Sequence, residues 1–145
     1  MRVLGLDVGE KRIGVALSDA SGVIASALTV IERKSDDFAI DRIAVLAEQH
    51  GVECVVVGMP RSMDGSLRSQ AMAVQSFVDL LTSRMDIPLA TWDERLSSVA
   101  ADRMMAEAGV KRDKRKSRRD SLAAAFILQG YLDRQKNDSP GRDLG

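Results

Sequence analysis

Apolar residues come in short runs near the start of the chain and at helical spacing further on. Val3-Leu4-Gly5-Leu6 ends at Asp7-Val8-Gly9, and Ile13-Gly14-Val15-Ala16-Leu17 follows the polar Glu10-Lys11-Arg12. Two such runs about a Gly9-Glu10-Lys11 turn predict an antiparallel hairpin. A third strand is expected over 23–31, after the Ala20-Ser21-Gly22 turn. Ser35-Asp36-Asp37 then reads as a helix start, with a capping hydroxyl and acids against the positive end of the dipole. Phe38, Ile43, Val45, Leu46 and Ala47 fill that helix, and Gly51 after His50 offers a left-handed stop.

Glu53-Cys54-Val55-Val56-Val57-Gly58 is almost wholly apolar, the pattern of a central strand covered on both faces. A loop with Pro60 and Gly65 precedes a helix over 67–85, periodic through Ala71, Val74, Phe77, Val78 and Leu81. Ile87-Pro88-Leu89-Ala90-Thr91-Trp92 is a further strand, with Pro88 tolerated at its start. Ser97 or Ser98 is expected to cap a helix that stops at Gly109, and Ser117 to open a last helix from Arg118 to about Gln135. The order β-β-β-α-β-α-β-α-α predicts an α/β fold with one five-stranded mixed sheet: a three-strand meander, then alternating units with helices on both faces. It occupies residues 1–136 as a single domain, and the polar 137–145 reads as a disordered tail.

At 145 residues the chain fits one domain, and 45% apolar with 29% charged residues is an ordinary globular balance. The lone Cys54 excludes a disulfide framework or a cysteine zinc site and points to a reducing compartment, the cytoplasm. Asp7, Glu10, Lys11 and Arg12 interrupt the first apolar runs, so the N-terminus reads as neither signal peptide nor membrane anchor. The formal net charge is zero, which at first argues against a nucleic-acid partner. The zero is a cancellation. Residues 1–110 carry 11 basic and 16 acidic side chains, and residues 111–145 carry 10 and 5. Seven of the nine positions from Lys111 to Arg119 are cationic, a concentration that matters more than the total.

Three acidic positions sit where chemistry is expected. Asp7 closes the first strand, Asp93-Glu94 closes the last, and Asp120 lies early in the final helix. Each also has a structural reading: Asp7 shapes a turn, Asp93 or Glu94 pairs with Arg95, and Asp120 completes a capping box with Ser117. Asp120 shares a helix face with Ala123, Ala124, Ile127 and Tyr131, and an acid on a buried stripe needs a partner. If the strand ends meet, Asp7, Glu94 and Asp120 converge, and several carboxylates together ionise only around a cation. An all-oxygen set selects Mg²⁺ or Mn²⁺, ions that in pairs hydrolyse phosphodiesters. Lys114, Arg115, Lys116, Arg118 and Arg119 then lead phosphates to the site, with Arg12, Arg61, Arg68 and Arg95 in nearby loops. Gly9 and Gly14 make only a weak candidate for a phosphate-binding loop. The few aromatic residues fall mostly in apolar patterns, so recognition is expected to read backbone and shape rather than bases.

Leu4-Gly5-Leu6-Asp7-Val8-Gly9 with Arg12-Ile13-Gly14-Val15-Ala16 is followed in order by three further motifs. They are Val57-Gly58-Met59-Pro60 with Asp64-Gly65, Asp93-Glu94-Arg95-Leu96-Ser97, and Lys116 and Asp120 with Ala123-Ala124 and Ile127-Leu128. Together they resemble the YqgF (RuvX) family from residue 1 to about 135. The resemblance implies a ribonuclease H-like fold related to the RuvC resolvases, an acidic triad at Asp7, Glu94 and Asp120, and a nuclease that matures the 5′ end of pre-16S ribosomal RNA. Structured RNA, within ribosomal precursor particles, is the expected partner. The alternatives are a Holliday junction resolvase acting on branched DNA and a non-catalytic nucleic-acid-binding factor. A sugar-kinase-like ATP-binding protein would need a second domain.

Overall fold

Strands that bury both faces need a layer of helices on each side, and this chain supplies them. The computed structural model describes residues 1–59, 65–93 and 112–138, with 65–68, 112–119 and 136–138 described by their backbone. Five strands, β1 (Arg2–Val8), β2 (Arg12–Ser18), β3 (Ala25–Glu32), β4 (Val52–Met59) and β5 (Leu89–Asp93), form one sheet in the order β3-β2-β1-β4-β5. β1, β2 and β3 pair antiparallel as a meander, and β4 and β5 run parallel to β1. Among the described residues the helices are α1 (Asp36–His50), α2 (Gly65–Arg84) and α3 (Arg112–Asp138). The mixed five-stranded α/β sheet with helices on both faces is thus as expected, while the helix foreseen after Ser97 lies outside the described residues.

Period-two alternation divides the strands between two cores. Leu4, Leu6, Ile13, Val15, Val55 and Val57 pack with Ile40 and Ile43 of α1 and Phe77 and Leu81 of α2. Val3, Ala16, Cys54 and Val56 pack on the other face with Ala124, Ile127 and Leu128 of α3. Burial raises the Cys54 thiol and Tyr131 phenol above their ordinary pKa values, which leaves Cys54 the inert core residue its apolar surroundings predict. The Ser35 hydroxyl caps α1 by accepting from the Phe38 amide at 3.1 Å, and Gly51 closes it at φ 63°. No described helix is long and apolar enough to cross a membrane.

Two boundaries depart from expectation for local reasons. β3 begins at Ala25, not Val23, because the Asp19 carboxylate accepts the Val23 and Ile24 amides at 2.8 and 3.1 Å and holds them in the turn. α3 begins at Arg112, so Ser117 lies inside it and is not a cap. The run from Arg112 to Arg119 has no Gly or Pro, and its Lys and Arg residues are good helix formers. It also continues to Asp138, past the foreseen end near Gln135.

The Asp19 turn has a pH consequence. Hydrogen bonds from Ser21 and from the Ile24 and Val23 amides lower the Asp19 pKa from 3.8 to about 2. A depressed folded-state pKa adds stability above the unfolded value and loses it as the pH falls through the folded one. The contribution of Asp19 is therefore complete above about pH 4 and fades as the pH falls toward 2. Denaturant titrations of the parent and Asp19→Asn are expected to differ near neutrality and to converge toward pH 2. A constant difference across that range would assign the effect to packing rather than charge.

Candidate functional site

The site starts at the tight β1–β2 turn. The Gly9 amide donates to the Arg12 carbonyl at 2.9 Å, and a Cβ on Gly9 would come within 2.8 Å of that oxygen. The turn sets the ladder so that Asp7 lies opposite Gly14, and Val8 opposite Ile13. Residues paired across an antiparallel ladder share a face. Since Leu6 and Val15 go to the α1–α2 core, Asp7 and Gly14 face α3, with Asp7 half-buried. Asp7 is thus a ladder residue at the end of β1 and not part of the turn.

α3 lands on this face at two glycines. A Cβ on Gly5 would meet the Leu128 Cβ at 2.8 Å and the Ala124 carbonyl at 3.1 Å, and one on Gly14 would collide with the Asp120 carbonyl. Asp120, Ala124 and Leu128 are four residues apart, one stripe of the helix, so the stripe descends the sheet from Gly14 to Gly5. The missing side chain at Gly14, the ladder partner of Asp7, is what lets the α3 main chain at Asp120 lie against β2. Gly14, in the sequence only a weak candidate for a phosphate-binding loop, is the point at which the α3 main chain closes on β2. Its sequence signal was only a glycine in an otherwise apolar strand, a sign of close backbone approach.

Arg12, the first residue of β2, donates from Nε to Asp120 Oδ2 at 2.9 Å. The two side chains are 38% and 23% exposed, so the pair contributes modestly to stability and mainly orients the carboxylate. The buried-stripe acid therefore has the partner that its position demanded.

At the far end of the sheet, Trp92 pairs with Gly58 and Asp93 with Met59. Trp92 faces α3, where its ring meets that of Tyr131 edge-on at 6.3 Å and lies against Gly130. Asp93, paired with a residue of the α1–α2 side, points to the opposite face from Asp7. Of the two neighbouring acids, Asp93 is therefore not the one that joins Asp7. Glu94 lies outside the described residues, as do Arg61 and Arg95. Lys114, Arg115, Lys116, Arg118 and Arg119 all belong to the first turns of α3, which lead directly into Asp120. Among the described residues no three His, Cys, Asp or Glu side chains gather as a metal centre. Asp7, on the α3 face of β1, and Asp120, on α3, are hard oxygen donors, a chemistry that fits Mg²⁺ or Mn²⁺ and not a soft metal.

A family model described as "RuvX: Holliday junction resolvase" matches residues 1–134. The chain is 49% identical over 133 residues to the "Putative pre-16S rRNA nuclease" of Desulforamulus reducens, covering 92% of this chain and 97% of that protein. A protein of the same name from Clostridium kluyveri is 46% identical over 134 residues, covering 92% and 98%. Among solved structures, Thermus thermophilus RuvC in complex with a Holliday junction substrate superposes with a TM-score of 0.58 at 17% identity, covering 93% of this chain and 96% of that one.

Proposed function

The chain belongs to the RuvX family and shares the ribonuclease H-like fold of the resolvases, and from that premise we propose a metal-dependent nuclease acting on structured precursor ribosomal RNA. The observation that supports this reading is the docking of the α3 main chain at Asp120 on Gly14, the ladder partner of Asp7, on the sheet face that carries Asp7. Asp7, Asp120 and Glu94 would hold the Mg²⁺ or Mn²⁺. When bound, the ion polarises the phosphate and makes a water nucleophilic near neutral pH.

The chain's own residues do the positioning. β1 presents Asp7 from a rigid ladder position, and α3 presents Asp120 with its carboxylate oriented by Arg12. The cations of the first α3 turns, Lys114, Arg115, Lys116, Arg118 and Arg119, hold backbone phosphates, with Arg61 and Arg95 as further contacts. Among the described rings Phe38 alone is exposed, Phe77 is buried and Trp92 packs against α3; the lack of an exposed aromatic cluster favours recognition of backbone and shape over bases.

RNA is chosen over branched DNA on the relatives at 46–49% identity, whereas RuvC shares only the fold. The test is cleavage by the purified full chain of a 5′-extended 16S precursor RNA and a four-way DNA junction, side by side, with Mn²⁺ or Mg²⁺ and with chelator. The RNA is expected to be cut only when the metal is present. Preferential cutting of the junction would transfer the assignment to DNA, and chelator-resistant cutting would remove the metal from it.

A further inference from the structure

A second cationic surface lies beside the carboxylates and outside the basic run of α3. Lys11, Arg12, Glu32, Arg33 and Lys34 line an open groove of about 270 Å³ between the β1–β2 turn and the entry to α1. Arg33 builds it. Its amide donates to the Lys11 carbonyl at 2.9 Å, its Nη1 to the Gly9 carbonyl at 2.8 Å, and its Nη2 pairs with Asp36 at 2.8 Å. The same guanidinium lies 4.8 Å from the centre of the buried Phe77 ring. One side chain thus ties the turn, the end of β3 and the start of α1 into a fixed wall.

We propose that this groove is a phosphate-binding extension of the active site, which takes the backbone of the RNA strand next to the scissile bond. The inference rests on the nuclease reading for its substrate. Arg33 is committed to structure and Arg12 to Asp120, which leaves the exposed Lys11 and Lys34 as the ammonium groups the groove offers to solvent. Lys34 Nζ also sits 5.1 Å from the centre of the Phe38 ring, which narrows its range of positions. Glu32, directly across the ladder from Arg12, is the one acid that lines the groove. Arg12 belongs both to the groove and to the Asp120 pair, so a backbone lying along the groove arrives at the carboxylates. No aromatic side chain lines the groove: Phe77 is buried, and the exposed Phe38 ring carries the Lys34 ammonium over its face; phosphates rather than bases are therefore what the groove fits. Through Arg12 the groove adds to the substrate-binding surface from the β1–β2 side of Asp120.

The test is binding of a fluorescein-labelled precursor RNA hairpin to the full chain by anisotropy across a salt series, with Ca²⁺ in place of the catalytic metal. Lys11→Ala/Lys34→Ala is expected to weaken binding and to lower the slope of log K against log salt by about two, one for each lost phosphate contact. Arg42→Ala/Arg134→Ala removes the same charge from other exposed positions and is expected to leave the slope as in the parent. A parental slope in the lysine variant, or an equal fall in both variants, overturns the groove. The nuclease reading fails separately, if the parent cuts no nucleic acid while the lysine variant still shows the reduced slope.

Discussion

Asp7→Asn is expected to reduce single-turnover cleavage of the precursor RNA by at least roughly a thousandfold, the equivalent of about 4 kcal/mol of transition-state stabilisation. The substitution keeps the side-chain shape and removes the negative charge at the end of β1, the one charged residue of that strand on the α3 face of the sheet. The circular dichroism spectrum and unfolding midpoint are expected to stay near those of the parent. Mn²⁺ binding, followed by titration calorimetry without RNA, is expected to weaken along with cleavage. Full activity in a folded Asp7→Asn protein would falsify the assignment of the site. Lost activity with unchanged Mn²⁺ affinity would instead give Asp7 a role toward substrate alone.

The next largest effect is expected from the smallest change, Gly14→Ala. The added methyl meets the Asp120 carbonyl, a main-chain atom held in the middle of a helix, so no flexible side-chain end can give way. α3 must lift from β2, and the contacts of Ala124 and Leu128 with Gly5 loosen with it. Overpacking of this kind costs about 3 kcal/mol, to be read from urea unfolding. Cleavage is expected to fall further than stability requires, because the displaced helix carries Asp120 away from Asp7. Gly51→Ala is the useful control: it strains a left-handed position where nothing lies within 4 Å, so it should cost stability and spare the cleavage rate of the folded protein. If Gly14→Ala behaves like Gly51→Ala, the close approach at Gly14 has no part in the chemistry.

Much of the architecture was legible in apolar spacing. The hairpin about Gly9, the capped and glycine-terminated α1, and the largely buried β4 each follow from residues within a few positions of one another. Where expectation missed, a longer reach was responsible. Val23 and Ile24 look like strand residues, yet the Asp19 carboxylate captures their amides. Ser117 and Asp120 have capping-box spacing, yet the helix runs through both because the basic segment before them is itself helical. The site divided in the same way. Asp7 and Asp120 stood out as acids at a strand end and on a buried stripe. Gly14 carried little signal, since its meaning depends on a helix more than a hundred residues away.

The sequence by itself indicated most of the described elements, the two-sided sheet and the candidate acids, because strand and helix periodicity and strand-end chemistry are local properties. It also showed that the zero net charge is a sum of opposed segments. Only the tertiary structure decided which face of the sheet each acid takes. Pleat alternation sends Asp93 away from Asp7, and the glycine seat on β2 brings Asp120 in. The structure likewise joined Lys11 to Lys34 across one groove through the Arg33 clamp. Such proximities depend on register and helix docking, which are set by the burial of whole faces and not by any residue's immediate neighbours.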